Sequence, residues 1–226
     1  MIVLNNKENI RSFGRIKAKN ITDYDNNLLN NFLPKHSMNI GDKLDKSRTN
    51  HLEVGFGYGE SIVHRAQNNR NINYIGCEAY TKGVASLLDK IKTNRIENLK
   101  VFYGDARILI ENLEDNSLDK IFILFPDPWP KKRHNKRRII SEEFLALISK
   151  KLKNNGELFF ASDIINYVEW TIEKIENNKS FIAKFNNIEE CLIEPEWWIE
   201  TRYQAKAKEQ GRKSYFLEYK LDKSYI

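Results

Sequence analysis

From residue 51 onward the chain alternates short apolar runs with amphipathic stretches. Residues 51–56 (HLEVGF), 73–79 (NYIGCEA), 99–105 (LKVFYGD), 120–126 (KIFILFP) and 156–163 (GELFFASD) have the length and the β-branched or aromatic content of buried strands. Between them Val84, Leu87, Leu88 and Ile91 recur at i, i+3, i+4 and i+7, and Ile165, Val168, Ile172 and Ile175 fall on one face of a second segment, which predicts helices. Strand and helix alternating in this way predict parallel pairing with helices on both faces of the sheet. Two later runs, 181–186 (FIAKFN) and 214–221 (SYFLEYKL), flank a long stretch containing 194–211 that shows no crossover-helix pattern. They predict an antiparallel pair at the edge of a seven-stranded, mostly parallel α/β sheet.

A length of 226 residues suits one such domain, expected over 46–226, behind a polar, asparagine-rich segment over 1–45 that is expected to be partly mobile. The 41% hydrophobic content is that of a folded protein, and no window approaches the ~18 apolar residues of a membrane helix. The first residues lack the apolar core of a signal peptide, so a soluble, cytoplasmic chain is expected. Cys77 and Cys191 are far apart, without a CxxC pair or a His cluster, so neither a disulfide framework nor a metal site is expected.

Charge changes the picture through its location. Residues 131–138 (KKRHNKRR) hold six Lys/Arg and no acid, and the chain's 37 basic side chains less these six equal its 31 acidic ones. The net +6 is thus concentrated in one segment, with a smaller group, Arg11, Arg15, Lys17 and Lys19, near the start. Such a patch attracts a polyanion, although a solvated loop is the plainer explanation of a charge run.

Ligands of open α/β sheets bind beyond the carboxyl ends of the strands, where this chain places glycines and acids. "LEVGFGYGE" ends the first strand with Glu53, Gly55, Gly57 and Gly59. A dinucleotide loop would need a small residue at position 60, and Glu60 there would repel a pyrophosphate. Glu78 ends the second strand, where a carboxylate suits a ribose, and Asp105 ends the third. Taken singly, each acid is as consistent with capping a helix as with binding. Together they suit a cofactor without phosphate and with positive charge, a description S-adenosylmethionine meets. The fourth strand leaves through Pro126-Asp127-Pro128-Trp129-Pro130, whose prolines hold Asp127 on a stiff turn beside that pocket.

The segments "RSFGR" (11–15), "LEVGFGYGE", "GCEA", "GDA", "FPDPWPKKRHNKRRI", "SD" (162–163) and the T-x-Y-x-x-K-x-x-x-x-G pattern of Thr201 to Gly211 resemble the bacterial tRNA (guanine-N7-)-methyltransferase family. The Pro-Asp-Pro-Trp-Pro segment with its basic tail is the specific part; the glycine loop indicates only the methyltransferase superfamily. The resemblance implies a Rossmann-like class I methyltransferase that moves the methyl of S-adenosylmethionine to N7 of guanine at nucleotide 46 in the variable loop of tRNA. It implies Glu53, Glu78, Asp105 and Asp127 at the cofactor with Gly55, Gly57 and Gly59, and Asp127 as the catalytic group. Lys131, Asp163, Thr201, Arg202, Tyr203 and Gln204 would contact the substrate; Arg133, His134, Asn135, Lys136, Arg137 and Arg138 would hold the RNA. Similar proteins commonly carry glutamate where this chain has Gln204, which leaves a guanine-reading role there open. The partner implied is tRNA, with no metal or membrane, bound by a monomer or homodimer.

Guanine N7 is an in-plane lone pair with no proton to remove, so positioning is expected to dominate catalysis. Transfer acidifies guanine N1–H, and a carboxylate from Asp127 or Asp163 on that edge would stabilise the change. Trp129, Trp197 and Trp198 are expected to pack in the core, base stacking being the alternative. Two other functions stay open on residues alone: methylation of an exocyclic amine of the adenine N6 type, and noncatalytic RNA binding on an inherited fold.

Overall fold

The computed structural model describes residue 18 and residues 20–225. Strands β1 (Asn50–Val54), β2 (Asn73–Glu78), β3 (Leu99–Tyr103), β4 (Leu118–Leu124), β5 (Leu152–Ser162), β6 (Phe181–Ala183) and β7 (Tyr215–Leu221) form one sheet in the order β3-β2-β1-β4-β5-β7-β6. The first five pair in parallel, and β7 runs antiparallel between β5 and β6. The strand order therefore reverses at β1 and β4, whose carboxyl ends open a crevice. This is the α/β sheet that the apolar periodicity predicts, with the edge pair where the tail placed it.

Alternation along each strand builds two buried faces. Leu52, Ile121, Ile123, Leu158 and Phe160 pack under α5 (Ala106–Asn112), α6 (Glu142–Lys151) and α7 (Ile165–Asn178). On the other face Tyr74, Leu99 and Val101 meet α3 (Glu60–Asn68) and α4 (Thr81–Asn94), while Phe122, Phe159 and Phe216 are covered by Trp197 and Trp198. Burying each large apolar side chain contributes about 1.5–3 kcal/mol, which explains why β4 reads as a continuous apolar run. The predicted α4 positions Val84, Leu87, Leu88 and Ile91 are all buried. Ser141 caps α6 by accepting from the Phe144 amide at 3.2 Å, with Glu142 and Glu143 in the first turn and Lys150 and Lys151 in the last.

Three local features depart from the apolar pattern. On α7 the buried face is Tyr167, Val168, Thr171 and Ile175; Ile165, the helix's first residue, is exposed. Tyr167 takes the core position instead, edge-on to Phe160 at 5.3 Å. Within 194–211 lies a helix the pattern does not show, α8 (Arg202–Glu209), whose buried positions are Gln204 and Ala207, residues that carry no apolar period. Within 1–45, α1 (Asp23–Asn27), a π-helical turn over Leu28–Phe32 and α2 (Leu33–His36) pack against α4 and β3, with Leu28 buried. Arg11, Arg15, Lys17, Lys19 and the 11–15 motif lie outside the described residues.

One charged pair sits inside the second face. Val54 points toward α5, so Glu53 beside it points the other way, where its carboxylate accepts from Arg65 of α3. The Arg65 guanidinium also lies over Phe122 at 3.6 Å. Burial raises the Glu53 carboxyl to about 7 against the pull of Arg65, and burial pushes the neighbouring His51 imidazole down to about 4. Replacing Arg65 with Met is expected to leave an unpaired buried carboxylate and to lower unfolding free energy by about 3–5 kcal/mol. Urea denaturation at pH 8 measures the loss; unchanged stability would show that the pair contributes nothing.

Candidate functional site

The crevice at the β1/β4 reversal holds a cavity of about 420 Å³, inside the ~300–1,000 Å³ range of small-molecule sites. Its walls include Gly55, Gly57, Glu78, Asp105, Asp127 and Tyr203, all predicted from sequence. Gly55 donates its amide to the Cys77 carbonyl at 2.8 Å, which pulls the loop after β1 across the end of β2. Gly57 has φ +58, and a Cβ there would stand 3.1 Å from the Tyr203 ring. Gly83 in α4 passes so close beneath that a Cβ on it would collide with the Gly57 carbonyl oxygen. Two glycines facing each other thus let a helix approach the floor of the cavity. Gly59 caps the start of α3 and lies outside the wall.

Glu78 ties that loop down. Its Oε2 accepts from the Gly57 amide at 2.8 Å, and its Oε1 from the amides of Ala79 and Tyr80 at 2.8 and 2.9 Å. Desolvation raises its pKa, partly offset by these three donors. Each carboxylate oxygen offers two lone pairs, so Oε2 keeps one acceptor position for a ligand hydroxyl. Asp105 caps α5 and is gripped by Arg107, with Nε at 3.0 Å from Oδ1 and Nη2 at 2.7 Å from Oδ2. Arg107 itself lines the cavity, a residue the pattern of acids did not suggest. Glu53, expected here, is outside the wall and faces Arg65 on the far side of the strand.

Asp127 stands on the rim. Among the described residues no hydrogen bond or ion pair engages its carboxylate, and desolvation pushes its pKa above the ordinary aspartate value. Its turn is bracketed by Phe125 at φ +47 and Trp129 at φ +44, conformations bulky residues rarely adopt. The Phe125 amide donates to the Ala161 carbonyl at 2.8 Å, extending the ladder to β5 for one more residue. Trp129, expected in the core, lines the cavity instead, with the Arg137 guanidinium 4.8 Å from its ring centre and His134 edge-on at 5.9 Å.

The basic run continues as a 3-10 helix over Lys132–Arg137. Lys131, Lys132, Arg133 and Lys136 are exposed, His134, Asn135 and Arg137 are half-buried, and Arg137 reaches the cavity wall. Desolvation, then the charges of Arg137, Arg133, Lys131 and Lys136, hold the His134 imidazole below its ordinary value. Arg138, expected with the others on RNA, is 4% exposed and turned inward, where it stacks over Tyr167 at 4.7 Å.

The substrate residues divide similarly. Tyr203 reaches the cavity from α8. Arg202 lies 3.8 Å over the Tyr58 ring and pairs with Glu60, so the acid at position 60 anchors the rim. Thr201 is a buried N-cap that accepts from the Gln204 amide at 3.3 Å. Gln204 is fully buried: its Oε1 accepts from Trp198 Nε1 and its Nε2 donates to Glu194, both at 2.6 Å. Asp163 accepts from Arg212 Nε at 2.6 Å outside the cavity wall. Tyr58 and Tyr80, edge-on at 6.3 Å, complete the wall; their places after strands β1 and β2 were the available signal.

A mostly parallel seven-stranded sheet with β7 antiparallel between β5 and β6, helices on both faces and a cofactor-sized cavity over its reversal point is the class I methyltransferase architecture. The solved 16S rRNA methyltransferase KamB shares this fold at a TM-score of 0.56 and 14% identity, over 78% of this chain and 90% of that one. A family model described as putative methyltransferase matches residues 47–217. A tRNA (guanine-N(7)-)-methyltransferase of Rhizobium johnstonii is 36% identical over 217 residues, covering 92% of this chain and 93% of its own length. A bifunctional methyltransferase of Rickettsia felis is 39% identical over 202 residues, and there the chain spans 38% of the relative's length. The chain belongs to the tRNA (guanine-N(7)-)-methyltransferase family. Its cofactor is accordingly S-adenosylmethionine. No helix among the described residues is long and apolar enough to cross a membrane, and no group of His, Cys, Asp or Glu among them could hold a metal ion.

Replacing Gly83 with Ala is expected to push α4 off the Gly57 loop and to weaken S-adenosylhomocysteine binding at least about tenfold, since the added methyl displaces the whole cradle and not a single hydrogen bond. Isothermal titration measures it; an unchanged Kd would mean that the loop adapts.

Proposed function

We propose that this protein transfers the methyl group of S-adenosylmethionine to N7 of a guanine in tRNA, at nucleotide 46, with Asp127 as the catalytic residue and the exposed face of the Lys132–Arg137 helix as the phosphate grip. The observation that carries this reading is an unpartnered carboxylate on the cavity rim, on the same turn that continues into the basic helix. The relatives' name supplies the reaction.

The wall fits the cofactor in size and in the acceptor position left on Glu78, while the Gly57 cradle gives a ligand close access to backbone. When bound, S-adenosylmethionine supplies an electrophilic methyl whose bond to sulfur breaks as its bond to nitrogen forms. Glu78 and Asp105 would hold the cofactor. Asp127, ionised, would accept from the guanine Watson–Crick edge, an interaction that strengthens as transfer makes N1–H more acidic. Tyr203 and Trp129 would flank the base. The two buried members of the substrate set, Thr201 and Gln204, would act by fixing α8 so that Tyr203 enters the cavity. Asp163, held by Arg212, would act on the substrate from outside the wall. The exposed Lys131, Lys132, Arg133 and Lys136 would bind phosphates, giving affinity and register while the cavity reads one unstacked base in the cytoplasmic tRNA pool.

Replacing Asp127 with Ala is expected to remove most turnover while tRNA binding survives. The product assay is nucleoside analysis for 7-methylguanosine after incubation with labelled cofactor and tRNA; normal turnover would take Asp127 out of catalysis. Because its pKa is raised and the ionised form is required, the wild-type rate should begin to fall on acidification at a higher pH than an ordinary aspartate would give.

Replacing Arg133 and Lys136 together with Ala is expected to weaken tRNA binding and to flatten its log–log salt dependence by about one unit for each phosphate no longer held. Filter binding between low and moderate salt measures the slope. A slope equal to the wild type would make the run a solvated face.

A further inference from the structure

We propose that Arg138 is a positioning residue that holds the Asp127 turn, and not a phosphate ligand of the basic run to which it belongs in sequence. The inference rests on the catalytic reading of Asp127 above.

The turn after β4 is short of its own fastenings. Pro126, Pro128 and Pro130 have no amide hydrogen to donate, and Phe125 and Trp129 are both held at positive φ. Such backbone persists only where the surroundings over-determine it. Upstream, the Phe125 amide is fixed to Ala161 of β5. Downstream, the carbonyl of Pro128, one residue past Asp127, accepts from Arg138 Nε at 2.9 Å.

The rest of the guanidinium is spent on α7. Arg138 Nη2 donates to Asn166 Oδ1 at 2.7 Å and Nη1 to the Asn166 carbonyl at 3.3 Å. Its plane is enclosed by Tyr167 and by Trp170, 5.3 Å away, while the next amide, Ile139, donates to the Tyr167 hydroxyl at 3.1 Å. All three nitrogens are therefore engaged, at 4% exposure, in a direction away from solvent. The geometry is a fork that spans two elements, and a lysine ammonium cannot reproduce it. A phosphate contact, by comparison, tolerates lysine.

The test compares Arg138→Lys, Arg138→Ala and Asn166→Ala with the wild type. For Arg138→Lys, kcat should fall about tenfold to a hundredfold, the scale of a small misplacement of a catalytic group, with tRNA affinity and its salt slope unchanged. Added guanidinium ion should restore part of the turnover of Arg138→Ala. A wild-type kcat in Arg138→Lys, or a salt slope lowered by about one unit in Arg138→Ala, would assign Arg138 to phosphate and overturn the proposal. Asn166 is exposed, so Asn166→Ala keeps the proposal testable if the arginine variants do not fold. It should lose turnover in part at an unchanged slope, and full turnover would count against the fork.

The double variant Asp127→Ala with Arg138→Lys separates this proposal from the reading beneath it. No loss beyond that of Asp127→Ala is expected, because Arg138 acts through Asp127. Additive losses would overturn the positioning role alone, whereas full turnover in Asp127→Ala by itself would overturn the catalytic reading.

Discussion

A carboxylate whose oxygens carry no bonds of their own can be held in place only through its backbone. Asp127 meets that constraint through three prolines, two aromatic residues in a left-handed conformation, one ladder bond to β5 and the Pro128 carbonyl. The rest of the site is arranged around this rim. The sheet supplies the reversal point, the glycine loop supplies the floor, and the basic helix begins where the turn ends. Left-handed backbone at two bulky residues is costly, and both of them, Phe125 and Trp129, stand on the turn that carries Asp127.

The electrostatics of the cavity are more differentiated than its acids alone suggest. Three carboxylates face it together with the guanidiniums of Arg107 and Arg137. Asp105 is neutralised by Arg107, and Glu78 is satisfied by three backbone amides that also hold the loop in place. Asp127 alone of the three has no hydrogen bond or ion pair among the described residues, while Oε2 of Glu78 keeps one open acceptor position. The cationic side chains nearest in sequence are likewise divided, four exposed at the surface and Arg138 turned into the protein.

Much of the fold was legible in the chain. The seven strands and the antiparallel tail follow from short apolar runs and α4 from a period of 3.6, which are local properties of the chain. The face of α7 was misplaced because Tyr167 and Thr171 fill core positions that an aliphatic pattern assigns to Ile165 and Ile172. α8 was invisible because it buries an amide and an alanine, anchored by Trp198 and Glu194 rather than by an apolar stripe.

Sequence by itself determined the class of fold, the family, and the segments that meet at the crevice, since strand ends and glycine loops are marked by residue type. Only the tertiary structure decided which way the charged side chains point. Glu53 and Val54 are adjacent in β1 yet face opposite sides of the sheet, and Arg137 and Arg138 are adjacent in the basic run yet end in the cavity wall and the interior. Side-chain direction depends on the register of a strand and on the partner waiting across the gap, here Arg65 in one case and the Pro128 carbonyl with Asn166 in the other. Those partners are 12 residues away at the first site, and 10 and 28 away at the second, and only folding brings them within reach.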